Sequence, residues 1–225
     1  MTNPFNPKRL TVARRRRGQT KGALAREMQV SLRMITAYES GEKEPGQLNL
    51  ARMADVLRFP VEFFSGPDLE EPPIEASSFR ALSSMTATER GQAFGSGTLA
   101  LALSDWIEER FSLPEPSVPM LRGMDDIEGA AMAVRSEWGL GQRPIRNMIH
   151  VLEAHGIRVF SLVEECRSFD AFSFWRGDHP YMFLNTVKTA ERSRMDAAHE
   201  LGHLCLHWRE GLRGREAENE AERFA

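Results

Sequence analysis

Cysteine is nearly absent. Cys166 and Cys205 are the only two in 225 residues, too few for a disulfide framework. Long hydrophobic runs are missing as well: no apolar stretch approaches the ~18 residues that cross a bilayer, so no membrane span is expected. The basic N-terminus is not followed by the apolar stretch of a secretory signal. No internal repeat is present. These absences lead us to expect a cytoplasmic protein.

What remains is ordinary in amount and uneven in placement. Hydrophobic residues make up 41% and charged residues 27%, as in soluble globular proteins. The length allows one large domain or two smaller ones. The net charge is −3, but residues 1–66 hold 12 Lys/Arg against 6 Asp/Glu, whereas the rest holds 17 against 26. A basic head on an acidic body fits a nucleic-acid module joined to something else.

The pattern divides the chain further. KRLTVARRRRG reads as a first helix that buries Leu10 and Ala13 and stops at Gly18. Thr20 caps KGALAREMQ, in which Leu24 and Met28 share a face, and Ser31 caps LRMITAYESG, which Gly41 ends. NLARMADVLRF follows, and Pro60 opens VEFF. GPDLEEPPIEA (66–76) is Pro-rich and acidic, as a linker would be. Residues 86–111 predict a long helix weakened by Gly95 and Gly97, and LPEPSVP (113–119) breaks it. DIEGAAMAVRSEWGLG and PIRNMIHVLEAHG predict two helices closed by glycine. IRVFSLV (157–163) alternates like a strand, and AFSFW and YMFLN flank RGDHP as a hairpin. Helices are expected from Ala190 to Trp208 and from Arg215 to Ala225. The fold class is therefore mostly α with a small β-sheet, α+β.

The segment TKGALAREMQVSLRMITAYESG has helix-turn-helix spacing. Ala25 is small where two helices must approach, and Val30 and Ile35 fill the space between them. The third helix then presents Ser31, Leu32, Arg33 and Thr36 at its start, the part of such a helix that meets base edges in the major groove. Arg33 suits a bidentate contact to guanine. Lys21 and the arginine run 14–17 would neutralise phosphates. LAREMQVS, the Tyr38-Glu39-Ser40-Gly41 end, Pro45 and LARMADVL followed by PVEFF resemble the Xre/Cro-type DNA-binding domain of five helices. That resemblance implies double-stranded DNA as partner and a palindromic operator read by a homodimer. The helix over 86–111 is a candidate dimer surface.

Residues 197–207 read AAHELGHLCLH. On a helix, positions four apart lie about 40° apart and one turn along, so His199 and His203 can chelate one ion. Glu200 stands next to the first ligand, where it addresses an attacking water rather than the ion. A catalytic zinc site needs a third protein ligand and an open position. A metzincin would carry histidine at 209, where this chain has Arg209. His207 drifts off the ligand face and reads as structural or as support for a ligand. The terminal REAENEAERFA offers Glu216, Glu218, Glu220 and Glu222. Ala221, Phe224 and Ala225 mark its packed side, which Glu218 borders.

From about Pro144 onward the chain resembles the ImmA/IrrE metallopeptidases, on DAFSFW, PYMFLN, ERSRMDAAHELGHLCLH and ENEAERFA. The resemblance implies a zincin-like fold, Zn2+ held by His199, His203 and Glu218, and Glu200 as catalytic acid/base. The family pattern continues to an apolar Leu-Met-Pro segment, so the domain is expected either to be truncated at its C-terminus or to end in an unusual way. The expected organisation is a helix-turn-helix domain over 1–66, a linker and helical connector containing Phe79 and Arg80 over 67–119, and the peptidase domain over 120–225. Stand-alone relatives in this family cut Xre-type repressors. The fusion therefore implies a transcriptional regulator, nucleoid-associated when DNA-bound, that cleaves itself or a partner repressor. Its alternatives are a regulator with a non-cleaving sensor body and an antitoxin-like, defence-associated repressor.

Overall fold

A computed structural model describes residues 4–73, 85–161, 171–185, 187, 189–207 and 214–225. They fall into two compact units. The first takes the described residues through Glu71 and Thr86–Leu103; the second takes the others, chiefly Ser104–Ala225.

The first unit is helical. Helix α1 (Pro7–Arg16) starts with Pro at its first turn and Asn6 as N-cap, where a missing N–H costs nothing. Thr20 and Ser31 cap α2 (Lys21–Glu27) and α3 (Leu32–Ser40) by accepting from Ala23 N–H and Met34 N–H. Gly41 closes α3 at φ 77°, a left-handed angle that suits glycine. Helix α4 (Gln47–Leu57) and a short 3-10 turn, Val61–Ser65 after Pro60, complete the head. Leu10, Ala13, Leu24, Ala25, Met28, Ile35, Tyr38, Met53, Leu57 and Phe64 form its core, with Val30 half-buried against it.

Helix α5 (Ala87–Glu108) runs unbroken through Gly95 and Gly97. The expected weakening is not seen, and packing gives the reason at Gly95. A Cβ there would stand 2.7 Å from the Arg16 backbone nitrogen, so the missing side chain admits α1.

The arginine run also serves the fold. Arg14 donates through Nε and Nη2 to the Glu39 carboxylate and through Nη1 to the Gln19 carbonyl. The Arg14 and Glu39 side chains are 12% and 5% exposed. Arg17 donates to the Leu57 and Arg58 carbonyls and lies over the Phe59 ring. These two arginines tie α1 to α3 and α4, so the expected phosphate contacts do not apply to them.

The second unit is α+β. Helices α6 (Ile127–Glu137) and α7 (Met148–Ala154) are capped by Asp126 and Asn147. Strands β1 (Arg158–Ser161), β2 (Ala171–Arg176) and β3 (His179–Leu184) pair in the order β1-β3-β2. β1 is parallel and β2 antiparallel to β3. The hairpin is tighter than RGDHP implied: Arg176 and His179 already pair, leaving Gly177 and Asp178 as the turn. Strand alternation sorts the side chains. Phe172, Phe174, Tyr181 and Phe183 stack on one face. Ala171, Trp175, Met182 and Leu184 join the core of the other, with Leu201 and Leu204 of helix α8 (Ala190–Leu206). Trp175 Nε1–H donates to the Leu204 carbonyl, pinning sheet to helix. Helix α9 (Arg215–Phe224) closes the chain. Phe79, Arg80 and Trp208 lie outside the described residues.

Removing one partner of a buried ion pair leaves an uncompensated charge. Glu39→Ala is expected to destabilise the head by about 3 kcal/mol, read as a lower melting temperature of the head's transition.

Candidate metal centre and nucleic-acid interface

Thr189 caps helix α8, its side chain accepting from Arg192 N–H. The turn spacing then puts His199 and His203 on one face, with their Nε2 atoms 3.2 Å apart. Helix α9 supplies the third group. Glu218 Oε2 is 3.4 Å from His199 Nε2, and Glu218 Oε1 is 3.8 Å from His203 Nε2. Among the described residues these three form a group of metal-ligating composition, their donor atoms all within 4.8 Å of one another.

Glu218 arrives there because α9 packs closely on α8. Ala217, Ala221 and Phe224 are its buried positions. The last two meet α8 at Gly202, where a Cβ would lie 3.1 Å from Phe224 Cδ1 and 3.2 Å from Ala221 Cα. The glycine of HELGH therefore admits a helix. Arg223 fixes the far side of α9 by a two-pronged bond to Glu128 of α6.

Glu200 is buried at 4% exposure. Its carboxylate Oε2 accepts a 2.6 Å hydrogen bond from Ser173 Oγ on β2. Burial is the main cause that pushes its carboxyl up to about 7, against the Ser173 bond and nearby His199. Burial, with neighbouring His199, pushes His203 down to about 3, so its imidazole is neutral. At His199 burial acts downward, but the Glu218 bond and the surrounding carboxylates prevail and raise it. Cys205, on the same helix, is buried and its thiol is pushed up by that burial, which leaves it inert.

Of the other acidic candidates, Glu216 and Glu222 are exposed, and Glu220 bonds His207 instead of the cluster. Sequence reasoning missed Ser173. A signal was there: it is the one polar residue among Ala171, Ser173 and Trp175, the positions of β2 that alternate toward α8.

In the head, Ser31, Leu32, Arg33 and Thr36 all lie exposed at the start of α3, Leu32 at 55%. Ser31 caps the helix, and Thr36 donates back to the Leu32 carbonyl. Lys21 is half-buried and ion-paired to Glu39 at 3.0 Å. No helix among the described residues is long and apolar enough to cross a membrane.

The shifts of Glu200 and His203 oppose each other in the metal-free protein. With its folded pKa above its ordinary 4.5, Glu200 loses stability as pH rises from there toward 7. With its folded pKa below its ordinary 6.5, His203 gains stability as pH rises toward 6.5. Between about pH 5 and 6.5 the two slopes offset. Metal-free Glu200→Gln is expected to unmask the second, so that stability climbs by roughly 1 kcal/mol per pH unit over that window. Denaturant titrations across the window read the difference; parallel profiles for the two proteins would contradict it.

Two family models match. Residues 12–64 match the helix-turn-helix model, and residues 152–225 match the IrrE N-terminal-like domain of the M78 peptidases. No curated protein and no solved structure matches the chain. The exposed start of α3 falls in the first match, and the His199–His203–Glu218 group with Glu200 falls in the second. The chain is a helix-turn-helix head fused to an ImmA/IrrE-type, peptidase-like domain.

Proposed function

We propose that this protein is a DNA-binding transcriptional regulator whose body is a zinc-dependent endopeptidase acting on itself or on a partner repressor. In this reading residues 1–66 read DNA, 67–119 connect, and 120–225 cut. The observation that carries it is the convergence of His199, His203 and Glu218 beside the buried carboxyl of Glu200.

The donor set fits zinc. Two imidazoles and one carboxylate are the ligands of one class of catalytic zinc site, with a fourth position left open. Burial keeps the His203 imidazole neutral, the form that ligates. Bound there, zinc supplies Lewis-acid polarisation of a carbonyl and acidifies water.

The chain's own groups do the rest. Glu200 takes the proton of the attacking water and passes it to the leaving amine. A carboxyl near pH 7 is matched to both transfers. Ser173 holds that carboxylate by one oxygen and leaves the other to exchange the proton.

In the head, α3 enters the major groove of a palindromic operator bound by a homodimer. Arg33 reads a base, and Lys21 exchanges Glu39 for phosphate.

A second reading, a non-cleaving sensor, draws on one observation. The body holds a cavity of about 720 Å³ lined by Trp138, Leu140, Met148, Met195 and Phe224, with Arg135 and Arg194 at its wall. Such a space suits a small ligand.

Two experiments test the proposal. Zinc-loaded protein, alone or with Xre-type repressors, should yield fragments that Glu200→Gln does not; intact substrates with both proteins would contradict cleavage and favour the sensor. Arg33→Ala should relax preference at one base pair by about 1–3 kcal/mol, whereas Lys21→Ala should weaken binding evenly across sequences and lower its salt dependence. Equal effects of the two variants on specificity would contradict the assignment. Both are read by binding titrations on operator variants.

A further inference from the structure

His207 takes no part in the convergent group, yet it is not idle. Its side chain is 8% exposed, and its Nε2 lies 2.9 Å from Glu220 Oε2. Its other nitrogen, Nδ1, lies 3.0 Å from Nδ1 of His203. The Nε2 of His203 points the opposite way, to His199 and Glu218. A hydrogen-bonded chain thus runs from Glu220 through His207 to the back of His203.

With both imidazoles neutral, elementary requirements fix the donors along this chain. A carboxylate only accepts, so His207 must carry its proton on Nε2 to bond Glu220. A neutral imidazole has one N–H, which leaves His207 Nδ1 bare and able only to accept. His203 must then place its proton on Nδ1 to meet it. Its Nε2 is left with a lone pair facing His199 and Glu218. The opposite arrangement would set two bare acceptors against each other at Glu220 and put a proton on the nitrogen that faces the cluster.

We propose that His207 and Glu220 are positioning residues that hold His203 in the tautomer and ring orientation needed to ligate a divalent cation through Nε2. The inference rests on the zinc reading above. It differs from that reading in assigning a role to two residues that touch no ligand position. Hydrogen-bonded partners behind a metal-binding histidine orient the ring and raise its basicity, and their loss weakens metal binding by about 10–100-fold.

The test uses the full chain and zinc itself, with affinity measured by competition against a chromophoric chelator. His207→Leu is expected to weaken zinc binding about 10–100-fold. His207→Gln, whose amide can accept from one side and donate to the other, should recover most of the loss. Glu220→Leu should weaken binding, and combining it with His207→Leu should add little, since both cut one chain. Cobalt(II) bound to His207→Leu should show an altered visible spectrum. In zinc-loaded wild type, nitrogen-15 spectra of the histidines should place the protons on His203 Nδ1 and His207 Nε2; this measurement needs no variant to fold. The opposite tautomers would overturn the proposal. So would zinc affinity and cobalt spectra unchanged in His207→Leu while His203→Ala abolishes binding, and that result would leave the zinc reading standing. Equal binding by wild type and His203→Ala would remove the zinc reading and this inference with it.

Discussion

The close packing of α9 on α8 at Gly202 is the contact on which the convergence of His199, His203 and Glu218 depends. Two histidines one turn apart make half a site; the other half must come from another element. Ala217, Ala221 and Phe224 form the stripe that docks, and the absent side chain at 202 sets how near it comes. With about 100° per residue, Glu218 and Glu220 flank that stripe on opposite sides. One therefore meets the Nε2 side of His203, and the other reaches its Nδ1 side through His207. A single packing event brackets one imidazole from both directions.

Burial gives the site its electrostatic character. A carboxyl and an imidazole taken from water both favour their neutral forms, and Glu200 and His203 shift accordingly in opposite senses. Glu218 stays partly exposed, at 17% for its side chain. What results is a pair of nitrogen donors and one carboxylate brought together at one place. The head uses charge differently. Arg14 and Arg17 are spent on holding helices together, while Arg33 stands exposed at the start of α3.

Much of this was legible in the sequence because the signals were local. Thr and Ser caps, Gly41, Pro60 and the strand alternation of AFSFW and YMFLN act within a few residues, and the elements formed where they pointed. The i, i+4 spacing of His199 and His203 likewise needed only one helix. The choice of Glu218 among four glutamates came from family resemblance, since register between two helices is a tertiary property. Ser173 and the Glu220–His207 bond were missed for the same reason: their partners are 27 and 13 residues away. Gly95 misled because a glycine inside a helix reads as a weakness, whereas here it makes room for a neighbouring backbone. Arg14 and Arg17 misled because a run of four adjacent cations looks like a phosphate-binding face, and nothing local in the sequence announces Glu39 as the partner of Arg14.

The central claim is that His199, His203 and Glu218 hold one zinc ion. X-ray absorption at the zinc edge of the protein loaded with one equivalent tests it most directly. The account predicts a low-coordinate shell of nitrogen and oxygen with the multiple scattering of two imidazoles and no sulfur. A shell without imidazole scattering, or one containing the Cys205 sulfur, would contradict it.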